Sequence, residues 1–378
     1  MKRNEIAYFG AGPAALETAV LEEAAQHLLN YAGTGLGIGE LSHRGRECGD
    51  VVAESKRLLC DLLHIPDTHD VLFLQGGGTV LFSAVVYNLL AYAVAKGRPD
   101  PVVDYLVTGA WSLKAADEAA RLGARVNIAA NAKTLDGQFG RVPHASAWRA
   151  SADPLYTYYC DNETINGIEC AGPPEVKGDL VCDMSSNILS RPIPNLSRYA
   201  VIFAGAQKNI GMAGITLVIV RKDILNRADA KGCRDAGVPV CPIMLDFRTI
   251  LDNNSLYNTL PIFTLDVMRL SMQKLQQRGG VEAQEELARK KSDRIYTALE
   301  HPMFKLVAQD GCRSRMNVTF TITPTARETD FLAGAEAKLL TGLKGHRSVG
   351  GIRISLYNAV TMEMVDRLAL YIEEFTRS

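Results

Sequence analysis

Short, almost wholly apolar runs recur through the first two thirds of the chain, and they predict β-strands that are buried on both faces. These runs cover 71–74, 103–109, 125–130, 155–161, 180–184, 200–207 and 215–220. Segments between some of them carry apolar residues at helical spacing, as Leu81, Val85 and Leu89 do. Strands that alternate with helices predict an α/β fold with a mainly parallel sheet of seven strands.

The pattern changes after about Leu270, where helical spacing dominates. Two strand-like segments, 316–322 and 352–357, interrupt it. A last amphipathic helix follows Thr361, which we expect to cap it. This part of the chain predicts a smaller α+β domain. We expect a large domain over 17–268 and a small domain formed by 1–16 and 269–378.

The length and charge of the chain limit its class. Its 378 residues exceed what a single hydrophobic core usually organises, which favours two domains. With 41 basic and 42 acidic residues, the net charge of -1 does not favour a nucleic-acid partner. The N-terminus has no apolar run of signal-peptide length. Polar residues interrupt the longest apolar stretch, 80–95, so it predicts a buried helix and no membrane partner.

The eight cysteines are scattered along the chain, and none of them forms a CxxC pair. Their spacing predicts neither a metal site nor a disulfide framework. We therefore expect reduced thiols and a cytoplasmic location.

The candidate chemistry begins with a lysine between two apolar strands. The strand at 200–207 runs into the polar turn Gln207-Lys208-Asn209, and two glycines lead into the next strand. Burial favours the neutral amine of a lysine, and a neutral amine can form a Schiff base with a carbonyl compound. Taken alone, the segment is equally typical of a surface hairpin.

Other polar residues follow the ends of neighbouring strands. Asp183 ends one strand, where its carboxylate can pair with a pyridinium nitrogen or simply cap the strand. The segment Gly76-Gly77-Gly78-Thr79 leads from a strand into an apolar helix, a pattern that favours phosphate binding. Trp111 and Thr164 also follow strand ends, where α/β folds bind ligands, although an isolated Trp is more often a core residue. Together these residues predict a cofactor site around Lys208.

A dinucleotide-binding oxidoreductase is the alternative from another class. The strand-like segment 6–9 precedes Gly10-Ala11-Gly12-Pro13-Ala14-Ala15, which nearly matches the GxGxxG/A motif. That motif also needs a second strand with an acidic end about twenty positions further on. The segment AGTGLGIGELSHRG occupies this region and is too rich in glycine for a central strand.

Nine short motifs run through nearly the whole chain: FGAGPA, LSHRG, LQGGGT, YCDNETING, SSNILSRPI, AGAQKNIG, LYNT, RSRMN and LKGHRSVGGIRIS. With them the chain resembles the phosphoserine aminotransferase family, which are class-V enzymes of the fold-type-I pyridoxal-phosphate group. AGAQKNIG together with GHRSVGG separates this family from other class-V enzymes. The resemblance implies transamination between L-glutamate and 3-phosphooxypyruvate, giving O-phospho-L-serine and 2-oxoglutarate in L-serine biosynthesis.

The resemblance also implies roles for the candidate residues. Lys208 would carry pyridoxal 5'-phosphate covalently and move the proton at the substrate's Cα. Asp183 would pair with the pyridine nitrogen, Trp111 would stack on the ring, and Thr164 would contact the polar edge of the ring.

The cofactor phosphate has its own set of implied ligands. Within one subunit these would be Gly78, Thr79 and Gln207. The other subunit would contribute Asn258 and Thr259, so the resemblance implies a homodimer with shared active sites.

For the substrate, the resemblance implies that Arg353 holds the α-carboxylate. Four residues would surround the phosphate or the distal carboxylate of glutamate, the first two from the partner subunit: His43, Arg44, His346 and Arg347. The bidentate geometry of arginine suits both anions.

Two further alternatives stay open. A class-V enzyme with alanine or serine as amino donor needs one arginine, but no paired His-Arg sites. A non-catalytic protein with the same fold is disfavoured by the intact Lys208 and Asp183. Two departures from the family pattern are Thr79-Val80-Leu81 after the glycines, and Glu17 at a usual proline, which we expect to affect only a helix start.

Overall fold

The computed structural model describes residues 2–377, and the strands within them form four sheets. In chain order the strands are β1 (Ala7–Tyr8), β2 (His69–Leu74), β3 (Val102–Val107), β4 (Arg125–Asn131), β5 (Tyr156–Cys160), β6 (Asn162–Glu163), β7 (Ile168–Glu169), β8 (Asp179–Asp183), β9 (Tyr199–Gly205), β10 (Thr216–Arg221), β11 (Phe304–Leu306), β12 (Asn317–Ile322), β13 (Leu340–Thr341) and β14 (Ile352–Ser355).

The central sheet has seven strands in the order β2-β10-β9-β8-β5-β3-β4. Only β10 runs antiparallel to its neighbours within this sheet, which confirms the predicted mainly parallel α/β fold. Each of the seven predicted apolar runs overlaps one of these strands. Because β5, β8 and β9 are parallel, the register that pairs Cys160 with Asp183, and Asp183 with Phe203, brings their carboxyl ends to one edge.

Helices cover the sheets and join the strands. They are α1 (Thr18–Leu29), α2 (Arg46–Leu63), α3 (Gly77–Ala95), α4 (Ala110–Arg121), α5 (Ala132–Asp136), α6 (Ala230–Asp235), α7 (Phe247–Asp252), α8 (Ile262–Gln277), α9 (Gly280–Ala298), α10 (Arg327–Ala337) and α11 (Met362–Phe375). By length and composition α3 could cross a membrane, but more than half of it is buried within the protein, as the sequence predicted for a core helix.

A three-stranded antiparallel sheet, β11-β12-β14, forms the core of the C-terminal part together with α10 and α11. Helix α11 begins as predicted, because the Thr361 hydroxyl accepts a hydrogen bond from the Met364 amide at 3.3 Å. Strand β1 pairs with β13, with Ala7 opposite Leu340, so the N-terminal segment joins this part of the chain. The boundaries 17–268, 1–16 and 269–378 stay a prediction.

The N-terminal glycine segment does not form a dinucleotide-binding turn. Strand β1 belongs to a two-stranded sheet, and the next α-helix starts only at Thr18. Glu17 precedes that helix without capping it and forms an ion pair with Arg278 at 2.6 Å. The replacement at Glu17 therefore also links α1 to the end of α8, which is more than the effect on the helix start that we expected.

Candidate active site

Lys208 lies in the turn between β9 and β10, at the carboxyl edge of the central sheet. Asn209 anchors this turn, since its side-chain amide donates hydrogen bonds to the carbonyls of Ser186 and Ile188 at 3.3 and 3.1 Å. The side-chain oxygen Oδ1 of Asn209 accepts a hydrogen bond from the backbone amide of Asn358 at 3.0 Å. The turn is therefore held from both sides, which limits the positions that the Lys208 side chain can take.

A cleft of about 410 Å³ opens at this point. Six of the predicted residues line it together: Gly78, Thr79, Trp111, Asp183, Gln207 and Lys208. They come from the ends of four different strands and from the starts of two helices, so the fold brings together residues that are 130 positions apart in sequence, from 78 to 208.

Asp183 supplies the cleft with a buried carboxylate. Its Oδ1 accepts a hydrogen bond from the Ser185 amide at 2.8 Å. Burial raises the pKa of Asp183, while the hydrogen bonds from Ser185 and the charge of Lys208 oppose that rise. Within residues 2–377, no cationic group lies within 4.0 Å of this carboxylate. A buried acid of this kind favours a protonated partner such as a pyridinium nitrogen.

The glycine triplet forms the amino end of α3, as the motif predicted. The Gly77 amide donates to the Thr216 hydroxyl at 2.8 Å. In the described part of the chain, the next two amides, of Gly78 and Thr79, have no hydrogen-bond acceptor. Free amides at the start of a 19-residue helix form a favourable place for a phosphate group.

Trp111 forms one wall of the cleft from the first turn of α4. Its indole Nε1 donates a hydrogen bond to Oγ1 of Thr164 at 3.0 Å. The Nζ of Lys208 lies 5.7 Å from the centre of the Trp111 ring, so a flat molecule held by Lys208 can reach the ring face. Thr164 itself does not line the cleft; it holds the indole that does.

The N-terminal segment lies against Lys208. Gly12 has a φ of +134°, and a Cβ on this residue would lie 3.6 Å from Cγ of Lys208. The Ala14 amide donates to the Gln207 carbonyl at 2.9 Å. A residue with a side chain is strained at this φ, which explains the glycine in a segment that packs on the lysine.

A group of four basic side chains lies beyond Trp111: Lys114, His346, Arg347 and Arg353. The Arg353 guanidinium donates to the Thr164 carbonyl at 3.4 Å, and burial lowers its pKa. Burial, and then the positive charges of the other three, lower the pKa of His346. Within residues 2–377, no carboxylate lies within 4.0 Å of any of the four. Cations that are close together without anions favour an anionic ligand.

Lys114 was not among the predicted residues. Its Nζ lies 4.3 Å from the centre of the Trp111 ring, three residues earlier on the same helix. The i, i+3 spacing from Trp111 was the available signal, because such residues share a helix face.

Besides Thr164 and the three residues beyond Trp111, four more predicted residues do not line the cleft of their own chain. Asn258 donates to the Gln75 side chain at 2.7 Å, and Gln75 donates to the Thr259 carbonyl at 3.4 Å, so both lie beside the residue that precedes the glycine triplet. His43 and Arg44 precede α2, where Arg44 is exposed. The roles of these four residues at a shared active site stay predictions.

A buried polar network connects the cleft to the C-terminal sheet. Asn162 lines the cleft and donates to the side chains of Ser186 at 2.7 Å and Asn317 at 2.8 Å. Asn317 donates in turn to the Ser355 hydroxyl at 3.0 Å. These fully buried contacts cross from the central sheet to β12 and β14.

The groups in the cleft fit pyridoxal phosphate. An amine, a buried carboxylate, an aromatic face and free helix amides match its aldehyde, pyridine nitrogen, ring and phosphate. Among residues 2–377, no three His, Cys, Asp or Glu side chains are placed to hold a metal ion.

Comparison with known proteins places the chain in a well-described group. The model of the class-V aminotransferase family matches residues 6–368. Phosphoserine aminotransferase of Saccharomyces cerevisiae is 45% identical and is aligned over 99% of this chain and 98% of its own length. The phosphoserine aminotransferase of Paraburkholderia phytofirmans is 44% identical, with 97% of each chain covered.

Solved structures give the same relationship. The pyridoxal-phosphate-bound phosphoserine aminotransferase of Trichomonas vaginalis superposes with a TM-score of 0.89 at 39% identity. The alignment covers 97% of this chain and 99% of the other.

Proposed function

We propose that this chain, which belongs to the class-V aminotransferase family, transfers the amino group of L-glutamate to 3-phosphooxypyruvate. The products are O-phospho-L-serine and 2-oxoglutarate, in L-serine biosynthesis. Relatives that are 44–45% identical over nearly the full length carry the name phosphoserine aminotransferase. The observation that favours a doubly charged, phosphorylated substrate is the group of Lys114, His346, Arg347 and Arg353 beside Trp111.

The cofactor is pyridoxal 5'-phosphate, and the cleft contains the residues to hold it. Lys208 would hold it through Nζ, and Asp183 would pair with its ring nitrogen. Trp111 would pack on the ring, and the free amides of Gly78 and Thr79, with Gln207, would bind the phosphate. When bound, pyridoxal phosphate accepts the amino group and withdraws electrons from the substrate's Cα.

Lys208 performs the proton transfer at the substrate. Once the amino group of the substrate has displaced it from the cofactor, its Nζ would remove the Cα proton of glutamate in the first half-reaction and deliver a proton to Cα in the second. The anchored turn around Asn209 holds the amine close to the Trp111 face, so the same nitrogen serves both directions. Such positioned acid–base groups typically accelerate a reaction by about 10²–10⁴-fold.

The cations orient both substrates. Arg353, partly buried and hydrogen-bonded to the Thr164 carbonyl, would hold the α-carboxylate. His346 and Arg347, with His43 and Arg44 of the partner subunit, would surround the phosphate of 3-phosphooxypyruvate or the distal carboxylate of glutamate. Arg and His side chains can accept either anion, which a ping-pong reaction with two substrates at one site requires.

The active unit would be a homodimer with shared sites. Four residues implied at the site lie outside the cleft of their own chain: Asn258, Thr259, His43 and Arg44. Leu29, in the same N-terminal part of the chain as His43, is 73% exposed, and an apolar side chain of this kind favours a contact with a second subunit. The partners would be small molecules, with neither nucleic acid nor membrane among them. All eight cysteines are free thiols, which supports a cytoplasmic location.

A coupled assay of the purified protein with glutamate and 3-phosphooxypyruvate tests the proposal. We expect a much higher kcat/KM for 3-phosphooxypyruvate than for pyruvate, and for glutamate than for alanine as the amino donor. Equal use of the unphosphorylated keto acid, or a preference for alanine, would point to another class-V activity. A bound flavin spectrum would overturn the aminotransferase assignment.

Mixed dimers test the shared site. The variants Lys208→Ala and Arg44→Ala should each be poorly active alone, and unfolding and refolding them together should restore activity in the hybrid. A mixture no more active than its components would contradict a site formed by two subunits.

A further inference from the structure

Glu163 is a fully buried carboxylate at the start of α4, and the cofactor roles above do not use it. Its Oε2 accepts the Trp111 amide at 2.9 Å, and its Oε1 accepts the Ser112 amide at 2.8 Å. The Ser112 hydroxyl adds a third hydrogen bond to Oε1 at 2.6 Å. One carboxylate thus binds the first free amides of a helix from a segment 52 residues further along the chain.

The backbone is shaped to admit this carboxylate. A Cβ on Gly109, the residue before α4, would lie 2.4 Å from Cδ of Glu163. No side chain can occupy that space, so the glycine allows the closest approach between the helix start and the acid. The contact is therefore part of the local architecture and not a loose surface cap.

The charge of Glu163 is also favourably placed. A carboxylate at the amino end of a helix interacts with the partial positive charge of the free amides. Burial raises the pKa of Glu163, and the hydrogen bonds from Ser112 and Trp111 oppose that rise. Within residues 2–377, no cationic side chain lies within 4.0 Å of it, so the amides are its main compensation.

The next residue completes the arrangement. Thr164 accepts the indole N–H of the same Trp111 at 3.0 Å. Adjacent residues of one segment thus bind the backbone and the ring of one tryptophan. Because both the backbone amide and the indole N–H of Trp111 are hydrogen-bonded, the ring has little freedom to rotate.

We propose that Glu163 is a positioning residue that sets the Trp111 ring plane against the cofactor. The proposal rests on the proposed cofactor site, but not on the identity of the substrate. It predicts that loss of the Glu163 charge loosens Trp111, and that the cofactor then binds less tightly and in a less uniform orientation.

The test compares Glu163→Gln with Glu169→Gln. Glu169 is buried in the same β6–β7 hairpin, opposite Asn162, but it binds Arg315 instead of α4. Both variants lose one buried charge, so their thermal midpoints measure the shared structural cost. The specific readouts are the visible circular dichroism of the holoenzyme and the dissociation constant for pyridoxal phosphate, both measured without substrate.

We expect Glu163→Gln to weaken cofactor affinity by about tenfold or more, which corresponds to about 1.4 kcal/mol, and to reduce the visible dichroism. Glu169→Gln should keep both at wild-type values. Unchanged affinity and dichroism in Glu163→Gln would overturn the proposal and leave Glu163 a structural cap. Because no substrate is present, a failed assay with 3-phosphooxypyruvate would not affect this result.

Ser112→Ala serves as the second variant if Glu163→Gln does not fold. It removes one of the three hydrogen bonds to Glu163 and keeps the carboxylate. A smaller change of both readouts in the same direction supports the positioning role, and wild-type values would contradict it.

Discussion

The side-chain amide of Asn162 donates a hydrogen bond to Oδ1 of Asn317 at 2.8 Å, across the junction between the cofactor cleft and the C-terminal sheet. Asn317 lies on β12 and pairs with Ser355 on β14, and Ser355 is two residues after Arg353 on that strand. The pair therefore fixes the distance between the cleft and the arginine that we expect to hold the substrate carboxylate.

Replacing Asn317 with alanine should weaken the binding of both substrates. The change leaves buried polar partners unsatisfied, so the free energy of unfolding should fall by about 1–3 kcal/mol. We expect KM to rise roughly tenfold for glutamate and for 3-phosphooxypyruvate, equivalent to about 1.4 kcal/mol. The cofactor absorbance should be unchanged. A variant that binds the cofactor more weakly, but has unchanged KM values when saturated with it, would show that the link serves the cleft and not Arg353.

Replacing Lys208 with alanine should abolish both turnover and the visible absorbance of the covalently held cofactor. The amine that we propose to hold the cofactor and to move the Cα proton is then missing. Absorbance spectra and the coupled assay measure the two effects on the same sample. Lys222→Ala, at an exposed lysine just after β10, is the control and should behave like the wild type. Turnover retained in Lys208→Ala would refute the mechanism.

Replacing Lys114 with methionine should raise KM for the phosphorylated substrate. The charge of Lys114 acts on His346, so its loss weakens the positive field around a phosphate. We expect a rise of roughly tenfold, or about 1.4 kcal/mol, for 3-phosphooxypyruvate and a smaller rise for pyruvate. The difference should shrink as salt is added.

Lys96→Met is the matched control for Lys114. Lys96 also places its Nζ over an aromatic ring, that of Tyr92 at 5.4 Å, but it lies at the far end of α3. Its loss should leave both KM values unchanged. Equal effects of the two variants would mean that Lys114 acts through general charge and not at the site.

A buried lysine in α9 predicts a pH dependence of stability. Lys291 is fully buried, and its Nζ lies 2.8–3.0 Å from three backbone carbonyl oxygens, of Leu356, Tyr357 and Val360. Burial lowers its pKa from 10.5 to about 7. Between these values the unfolded chain binds one proton more than the folded protein, so this group makes the wild type more stable as the pH rises.

The variant Lys291→Met lacks this titration and leaves the three carbonyls without their donor. We expect it to be destabilised by about 1–3 kcal/mol. The deficit relative to the wild type should be larger at pH 9 than at pH 7, because only the wild type gains stability over that range. Thermal midpoints of the two holoenzymes at both pH values measure it. A deficit that is the same at both pH values would mean that Lys291 stays charged in the folded protein.

The central sheet could be predicted because most of its strands are buried on both faces, so their apolar runs stand out in the sequence. Among the shortest strands, only β1 lies in a segment that the sequence indicated as strand-like, 6–9, and the other three could not be predicted. Strands β1, β6, β7 and β13 have two residues each, and two residues carry no period. The positions of these strands depend on partners elsewhere in the chain, as with Ala7 and Leu340.

The residues of the candidate site were also predictable only in part. Lys208, Asp183 and the glycine triplet lie at strand ends, where the order of strand, turn and helix indicates their position. The role of Glu163 could not be predicted from nearby residues, because a residue that caps a helix normally comes just before it in sequence. Glu163 lies about fifty residues after the start of α4. Lys114 resembles a solvent-facing helix residue until the fold brings His346 towards it.

The pairing of β1 with β13 affects when Gly12 and Lys208, which are in contact in the folded protein, come together during folding. A ribosome releases the first strand long before residues 340–341 exist, and contacts of such high sequence separation form late in folding. The Lys208 turn can form within the central sheet while the segment that carries Gly12 is still unattached. We therefore expect the N-terminal segment to pack on Lys208 late in folding, after the residues that line the cleft have come together.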